Sequence, residues 1–232
     1  MPGNFVDRLK AAPVLCDGAT GTLLYAKGIF INRCYDELNV SQPELIRGLH
    51  HEYLQAGAEV IETNTFGGNK ARLERHGLTD KVREINLAGA RLAKEAAKSF
   101  DAWVAGSVGP LGIRIEPLGK TSFQEARDAF REQIAALLEG GVDLLILETF
   151  GYLEELHQAY QAARELDPKV PVVAQVTVNT RSAMACHKTE AAFGEVIIAM
   201  KKALDVRKTT MAPIVQSNQR RASLPPEARI PR

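Results

Sequence analysis

Short apolar runs alternate with longer amphipathic segments along most of the chain. The apolar runs predict strands at residues 12–16, 59–62, 102–107, 142–147 and 170–176, with a further candidate at 213–216. The segments between them predict helices at residues 42–56, 69–76, 81–98, 122–139, 152–166 and 190–204. Because parallel neighbouring strands need a crossover connection, which is usually a helix, this alternation predicts an α/β fold with a parallel sheet.

The segment 122–139 shows the helical pattern most clearly. Its apolar side chains recur at three- and four-residue steps, at Phe123, Ala126, Phe130, Ile134, Leu137 and Leu138. Ser122 precedes this run and Glu125 follows three residues later, which is the pattern of a capping box. We therefore expect a helix that begins after Ser122 and buries one face.

Turn and polar residues directly follow four of the predicted strands, at 17–22, 62–65, 107–110 and 148–150. Barrels place their chemistry at the carboxyl ends of their strands, and no GxGxxG motif follows the first strand, as a dinucleotide-binding open sheet would favour. The prediction is a (β/α)8 barrel of the TIM type. Eight strand–helix units usually take about 250 residues, so we expect an incomplete barrel with five to six of the eight strands.

The composition of the chain disfavours several classes of function and location. The chain has 232 residues, of which 45% are hydrophobic, and its net charge is +1. We expect one domain, a partial barrel over residues 1–216, followed by an irregular tail at 217–232 that is rich in Pro and Arg. The balanced charge and the absence of a long apolar run favour neither a nucleic acid nor a membrane as partner. Three widely spaced cysteines and no secretory signal pattern predict a cytoplasmic protein.

Three carboxylates, Asp17, Glu62 and Glu148, each come directly after an apolar run. A buried carboxylate needs a cation or hydrogen-bond donors, and glycines at positions 18 and 21 allow a close approach of the backbone. Together these groups suit the ammonium and carboxylate of an amino acid. The alternative is structural: Asp17 and Glu62 would cap the turns that follow them, and Glu148 would pair with an arginine. His50 and His51, on a predicted helix, are expected to face solvent.

Four segments, taken in order, resemble the homocysteine S-methyltransferase family. They are VLCDGATGT at 14–22, AGAEVIETNTF at 56–66, AGSVGP at 105–110 and LILETF at 145–150. The resemblance runs from about residue 10 to 205 and implies a barrel that binds homocysteine and transfers a methyl group to its thiolate, giving methionine. By position, it implies that the homocysteine site includes Asp17, Gly18, Ala19, Thr20, Gly21, Glu62, Thr63, Asn64, Ser107 and Glu148, with Asp17 and Glu148 holding the amino group.

The resemblance also implies a zinc ion that binds the homocysteine sulfur as thiolate. In the family, three cysteines hold this zinc, one in a GVNC-like segment and two in a GGCC-like segment. This chain has neither segment and no cysteine after Cys186. Cys16, Cys34 and the adjacent pair Cys186 and His187 are too few and too scattered for a tetrahedral site. We therefore predict that the chain has no metal ligands and binds no zinc.

Two functions stay open at this point. The first is homocysteine methyl transfer, and the second is an inactive protein that keeps only the amino-acid pocket. An unrelated phosphate-binding barrel would need a glycine-rich loop after a late strand, and the tail contains none. The methyl donor is unknown, because the family includes folate–cobalamin, betaine and sulfonium donors. An unclosed barrel leaves an exposed strand edge at residues 170–176, which favours an oligomer or a partner that covers it.

Overall fold

A computed structural model describes residues 3–177. Its strands are β1 (Val60–Glu62), β2 (Trp103–Val108), β3 (Leu144–Phe150) and β4 (Val172–Val176). Its helices are α1 (Phe5–Ala11), α2 (Thr20–Ala26), α3 (Leu38–Ser41), α4 (Pro43–Gln55), α5 (Lys70–Glu74), α6 (Val82–Ala97), α7 (Phe123–Glu139) and α8 (Leu153–Leu166), with a short 3-10 helix at Thr79–Lys81. None of these helices is long and apolar enough to cross a membrane.

The four strands form one parallel sheet in the order β1-β2-β3-β4, so each strand lies beside the next one in the chain. One helical crossover joins each pair, and one apolar core joins the sheet to α4, α6, α7 and α8. That core includes Ile61, Val104 and Leu145 from the strands and Leu54, Ala93, Phe130 and Leu156 from the helices. A doubly wound sheet would carry helices on both faces, whereas helices on one face are typical of a barrel wall.

The opposite face of the sheet has a smaller apolar cluster. Val60, Ala105 and Ile146 point to this side, as the alternation of side chains along a strand requires. Helix α1 closes one end of it, because Phe5 packs edge-on against Trp103 with ring centroids 5.7 Å apart. This face corresponds to the interior of a barrel.

The predicted boundaries of the four strands and of the five helices α4 to α8 are close to the observed ones. Ser122 and Glu125 form the predicted capping box at the start of α7. The predicted strand at 12–16 is wrong as a strand: it makes only a single parallel bridge, between Cys16 and Val60. Helices α1, α2 and α3 were not predicted. The helix at 190–204, the strand at 213–216, the boundary at 216 and the tail lie outside the described residues.

His50 is a further correction. Its side chain is only 3% exposed, so it belongs to the core and does not face solvent. Burial lowers its pKa to about 4, which keeps the imidazole neutral at physiological pH. A histidine gives no sign of its burial in a single sequence.

Candidate functional site

The end of the segment 12–16 is joined to the end of β1 through Asp17. Its backbone N–H donates to the carbonyl of Val60 at 2.9 Å, and its carboxylate Oδ2 accepts the backbone N–H of Glu62 at 2.9 Å. Burial raises the pKa of Asp17 to about 7, with a further contribution from the negative charge of Glu148. Asp17 is therefore held in place by the backbone, and no Lys or Arg within residues 3–177 forms an ion pair with it.

Glu62 and Glu148 lie together beside Asp17. Burial, followed by the charges of Glu148 and Asp17, raises the pKa of Glu62 well above its usual range. Glu148 lies close enough to Glu62 to contribute to this rise, because two nearby carboxylates repel each other when both are ionised. Within residues 3–177, none of the three carboxylates forms an ion pair with Lys or Arg. We call Asp17, Glu62 and Glu148 the acidic pole.

Hydroxyl groups form a hydrogen-bond network at the base of the site, between these carboxylates. Ser107 donates its hydroxyl to Glu148 Oε1, and its backbone N–H donates to Thr63 Oγ1 at 3.0 Å. The hydroxyls of Thr63 and Thr65 are 2.6 Å apart, and Thr65 donates to the carbonyl of Ser107 at 2.8 Å. Ser107 and Thr63 are almost fully buried. This network fixes the side chain of Glu148 relative to β1 and β2.

Glu148 lies at an irregularity of β3. The pairing with β4 advances by three residues from Leu147 to Phe150 but by only two from Ala174 to Val176, so β3 has one extra residue. Thr149 has a φ of 63°, which is an outlier for a β-branched residue. A bulge of this kind changes the direction of the side chains beside it. The predicted strand ends at Leu147, whereas the observed strand continues through this bulge to Phe150.

Buried amides support the loop after β1 from behind. Asn39 of α3 donates to the carbonyl of Asn64 at 2.8 Å, and Asn64 donates to the carbonyl of Tyr35 at 2.7 Å. Gln133 of α7 donates to the carbonyl of Thr65 at 2.7 Å. Because these backbone carbonyls are buried and satisfied, the loop that carries Thr63 and Asn64 has a defined conformation.

The DGATGT segment forms one wall of the site. Helix α2 begins at Thr20, within the motif, where the sequence predicts a turn. The backbone N–H groups of residues 18–21 donate no hydrogen bond to any other residue in the described range. A Cβ at Gly18 would lie 3.0 Å from the hydroxyl of Tyr53, so this wall approaches α4 closely. These N–H groups are available to a ligand.

The walls enclose a cavity of about 560 Å³. All ten residues of the predicted site line it, namely Asp17, Gly18, Ala19, Thr20, Gly21, Glu62, Thr63, Asn64, Ser107 and Glu148. The predicted convergence of the strand-end carboxylates is thus observed in the geometry. Among residues 3–177, Glu148 forms no ion pair with an arginine, and its hydrogen-bond partner there is Ser107.

The cavity also has residues that the sequence did not single out. Arg72 and Arg75, from α5 and just after it, also line the cavity, together with Cys34 and Asp36 from the loop before α3. Burial and then the charge of Asp36 raise the pKa of the Cys34 thiol to about 11, so this thiol is protonated at neutral pH. The position of α5 directly after the ETNTF segment could have indicated Arg72. No sequence signal marks Asp36.

The fit of a metal can be tested on the same residues. Within residues 3–177, no group of three or more His, Cys, Asp or Glu side chains is arranged to hold a metal ion. Cys16 and Cys34 are both free thiols, and only Cys34 lines the cavity. The described residues therefore do not fit the cysteine-bound zinc that the family resemblance implies. Cys186 and His187 lie outside the described range.

Comparison with known proteins agrees with the motifs. The family profile described as homocysteine S-methyltransferase matches residues 14–214. The chain is similar to the methionine synthases of Mycobacterium tuberculosis and Mycobacterium leprae, with 32% and 31% identity over 196 residues. Each alignment covers 78% of this chain and 16% of the relative, so the chain spans about a sixth of the length of these proteins.

The fold is similar to that of the homocysteine methyltransferase MmuM from Escherichia coli. The metallated form of that protein aligns with a TM-score of 0.66 and 25% identity, covering 76% of this chain and 67% of that chain. The oxidised form aligns with a TM-score of 0.63 and 26% identity, covering 72% and 62%. With the single parallel sheet, these neighbours confirm the predicted fold class, an incomplete barrel of the TIM type.

Proposed function

Because the chain belongs to the homocysteine S-methyltransferase family, we propose that it binds homocysteine and presents its sulfur for methylation to methionine. One observation carries the proposal: within residues 3–177, three half-buried carboxylates meet at one end of the sheet without an ion-pair partner, beside backbone N–H groups that also have no partner there. A ligand with an ammonium group supplies the missing positive charge.

Different parts of the site bind the two charged groups of the amino acid. The ammonium group binds between Asp17 and Glu148, where charge-assisted hydrogen bonds offset the repulsion among the carboxylates of the acidic pole. The carboxylate of the ligand accepts the N–H groups of residues 18–21. Thr63 and Ser107 hold Glu148 in position rather than contacting the ligand. Such positioning is the protein's main contribution to a displacement at carbon.

The transfer itself is a substitution at the methyl carbon. The sulfur–carbon bond forms while the bond from the methyl group to its donor breaks, and the donor keeps the electron pair of that bond. The thiol proton is lost before or during this step, since the thiolate is the nucleophile. In the family a zinc ion binds the homocysteine sulfur and keeps it in the thiolate form. The described residues provide no set of ligands for such an ion. Their part in the reaction is to bind and orient the amino acid.

Calorimetric titration of the purified chain with L-methionine tests the proposal, because the product has the same ammonium and carboxylate groups and no titrating thiol. Glu148→Gln and Asp17→Asn are each expected to weaken binding about ten-fold or more, since a charge-assisted hydrogen bond is lost. Glu139→Gln, on the surface beside Arg83, is the matched control and leaves the affinity unchanged. Equal binding of 4-(methylthio)butanoate, which lacks the ammonium group, would contradict the proposal.

A second function is favoured by one observation, the lack of a metal-holding group in residues 3–177. It is binding of the amino acid without methyl transfer. The two functions differ in a single assay: methionine formation from homocysteine with betaine, S-methylmethionine or methylated cobalamin as donor. In either case we place the protein in the cytoplasm, where the free thiols of Cys16 and Cys34 stay reduced.

A further inference from the structure

Side chains alternate between the two faces of the sheet along most of β3. Leu147 packs in the core that the sheet shares with the helices, and Ile146 packs in the apolar cluster on the opposite face. Regular alternation would therefore turn Glu148 and Phe150 to the opposite face and Thr149 towards the helices. The observed strand departs from this alternation at its last two residues.

The bulge in β3 returns Phe150 to the helix side of the sheet. Phe150 is fully buried in the shared core, and its ring centre lies 5.9 Å from that of Phe130 in α7. Leu147 lies in the same core three positions earlier, so the two residues between them oppose a single residue of β4. Both of these residues, Glu148 and Thr149, line the cavity. The bulge thus brings Thr149 to the site beside Glu148.

The side chain of Thr149 is strained by the backbone that carries it. Among residues 3–177, Thr149 is the one residue other than glycine with a positive φ, at 63°. In this conformation a β-branched side chain crowds its own backbone, whereas glycine adopts it without a steric cost. Bulges with a residue of positive φ commonly have glycine there. The bulge itself therefore needs no threonine, and the threonine makes the folded chain less stable than glycine would.

Contacts within the described chain do not compensate for this strain. The hydroxyls of Thr63, Thr65 and Ser107 form the hydrogen-bond network at the base of the site, whereas the hydroxyl of Thr149 has no hydrogen-bond partner in residues 3–177. Its side chain is exposed where it lines the cavity. Strained residues of this kind cluster at active sites and ligand clamps, so the compensating contact is expected to come from a ligand.

From this geometry we infer that Thr149 is a substrate-binding residue, whose hydroxyl accepts a hydrogen bond from the ammonium group of the bound amino acid. The inference rests on the proposed function. An ammonium group has three N–H donors, and the proposed site assigns two of them to Asp17 and Glu148. A hydroxyl accepts the third without adding a further negative charge to the acidic pole. The side chain of Thr149 thus improves binding and reduces stability.

The first test measures the affinity of the whole chain for L-methionine by calorimetric titration. Thr149→Ala removes the hydroxyl and should weaken binding about ten-fold, because a hydrogen bond to a charged group is lost. Thr149→Gly should show the same loss. Thr149→Ser keeps the hydroxyl and should stay within about three-fold of the wild type, and the surface variant Glu139→Gln should bind as the wild type does.

The second test measures thermal unfolding of the same variants through the fluorescence of Trp103, the single tryptophan, which is buried beneath α1. Thr149→Gly should raise the unfolding midpoint by about 2–4 °C, because the strain is relieved. Thr79 starts the 3-10 helix, has no positive φ and does not line the cavity, so Thr79→Gly should lower the midpoint. A purely structural role for Thr149 would move affinity and stability in the same direction, and an unchanged or lower midpoint in Thr149→Gly would overturn the inference.

L-Methioninamide identifies the group that the hydroxyl contacts. This probe keeps the ammonium group and has a neutral amide in place of the carboxylate. Thr149→Ala should weaken its binding by the same factor as that of methionine. If the variant loses affinity for methionine but not for methioninamide, the hydroxyl contacts the carboxylate and the assignment to the ammonium group is wrong.

Failure of the inference and failure of the proposed function give different results. Full methionine affinity in Thr149→Ala, with a loss in Glu148→Gln, would remove the contact with Thr149 and leave the proposed function in place. Absence of methionine binding in the wild type would remove the proposed function, and the contact assigned to Thr149 would fail with it.

Discussion

The acidic pole predicts that binding of the amino acid releases a proton. In the free protein, burial raises the pKa of Asp17 to about 7, so its carboxyl is half protonated at neutral pH. An ammonium group binds the ionised form. Below its pKa the carboxyl of Asp17 is mostly neutral. The affinity for the ammonium group therefore falls as the pH falls through about 7, and it is constant at higher pH.

The size of this change in affinity follows from the pKa of Asp17. For one proton displaced from a group with a pKa of about 7, affinity at about pH 5.5 should be roughly thirty-fold lower than at about pH 8. An aspartate with an ordinary pKa near 3.9 would give almost no change over this interval. Tyr53 and Cys16, which also lie near Asp17, have raised pKa values and stay neutral throughout it.

The assay is a calorimetric titration with L-methionine between these two pH values, repeated in phosphate and in imidazole buffer, which differ in their enthalpy of ionisation. The difference between the buffers gives the number of protons released, which should approach one at about pH 6 and fall towards zero at about pH 8. Asp17→Asn keeps an acceptor for the N–H of Glu62 and should bind more weakly but with a flatter profile. A flat affinity in the wild type, with no proton released, would refute the reasoning.

Three other expectations can be checked on the same material. Gly109→Ala should lower the thermal unfolding midpoint, because the new Cβ would lie 2.4 Å from Phe66 Cε2; Gly48→Ala, in open space on α4, is the control and should raise it slightly. Elemental analysis after purification in zinc-containing buffer should find no stoichiometric zinc, and one tightly held ion per chain would contradict this. Light scattering should show association through Val172–Val176, the last strand of the described sheet, and a monodisperse monomer with one sharp thermal transition would exclude it.

Much of the fold could be predicted because its elements have strong periodic patterns. The helix from Phe123 to Glu139 has both an apolar face and a capping box, so its start and its orientation were both predictable. The strand predicted at 12–16 failed because a short apolar run does not show whether it forms a ladder or only one bridge. The short helices α1, α2 and α3 have too few residues for a period to be recognised.

The candidate site was predictable on its acidic side and not on its basic side. Asp17, Glu62 and Glu148 come after apolar runs, so the topology of a parallel sheet brings them to one edge. Arg72 reaches the cavity from a helix, through a hydrogen bond to Pro110 and a contact with Phe66 that depend on tertiary structure. The bulge at Thr149 was equally hidden, because nothing in a single sequence shows that a β-branched residue will adopt a positive φ.

The spacing of the acidic pole along the chain has a kinetic consequence. Asp17 and the residue it contacts, Glu62, are 45 positions apart, and Ser107 and Glu148 are 41 positions apart, so the pocket joins successive strand–helix units. During synthesis it is complete only after Glu148 has left the ribosome. From then on, an amino acid bound there acts as a cross-link between all these units. At about a hundred times its dissociation constant it would add about 2.7 kcal/mol to the stability of the folded chain. On the proposed function, the concentration of free homocysteine should thus influence how many nascent chains reach the native state.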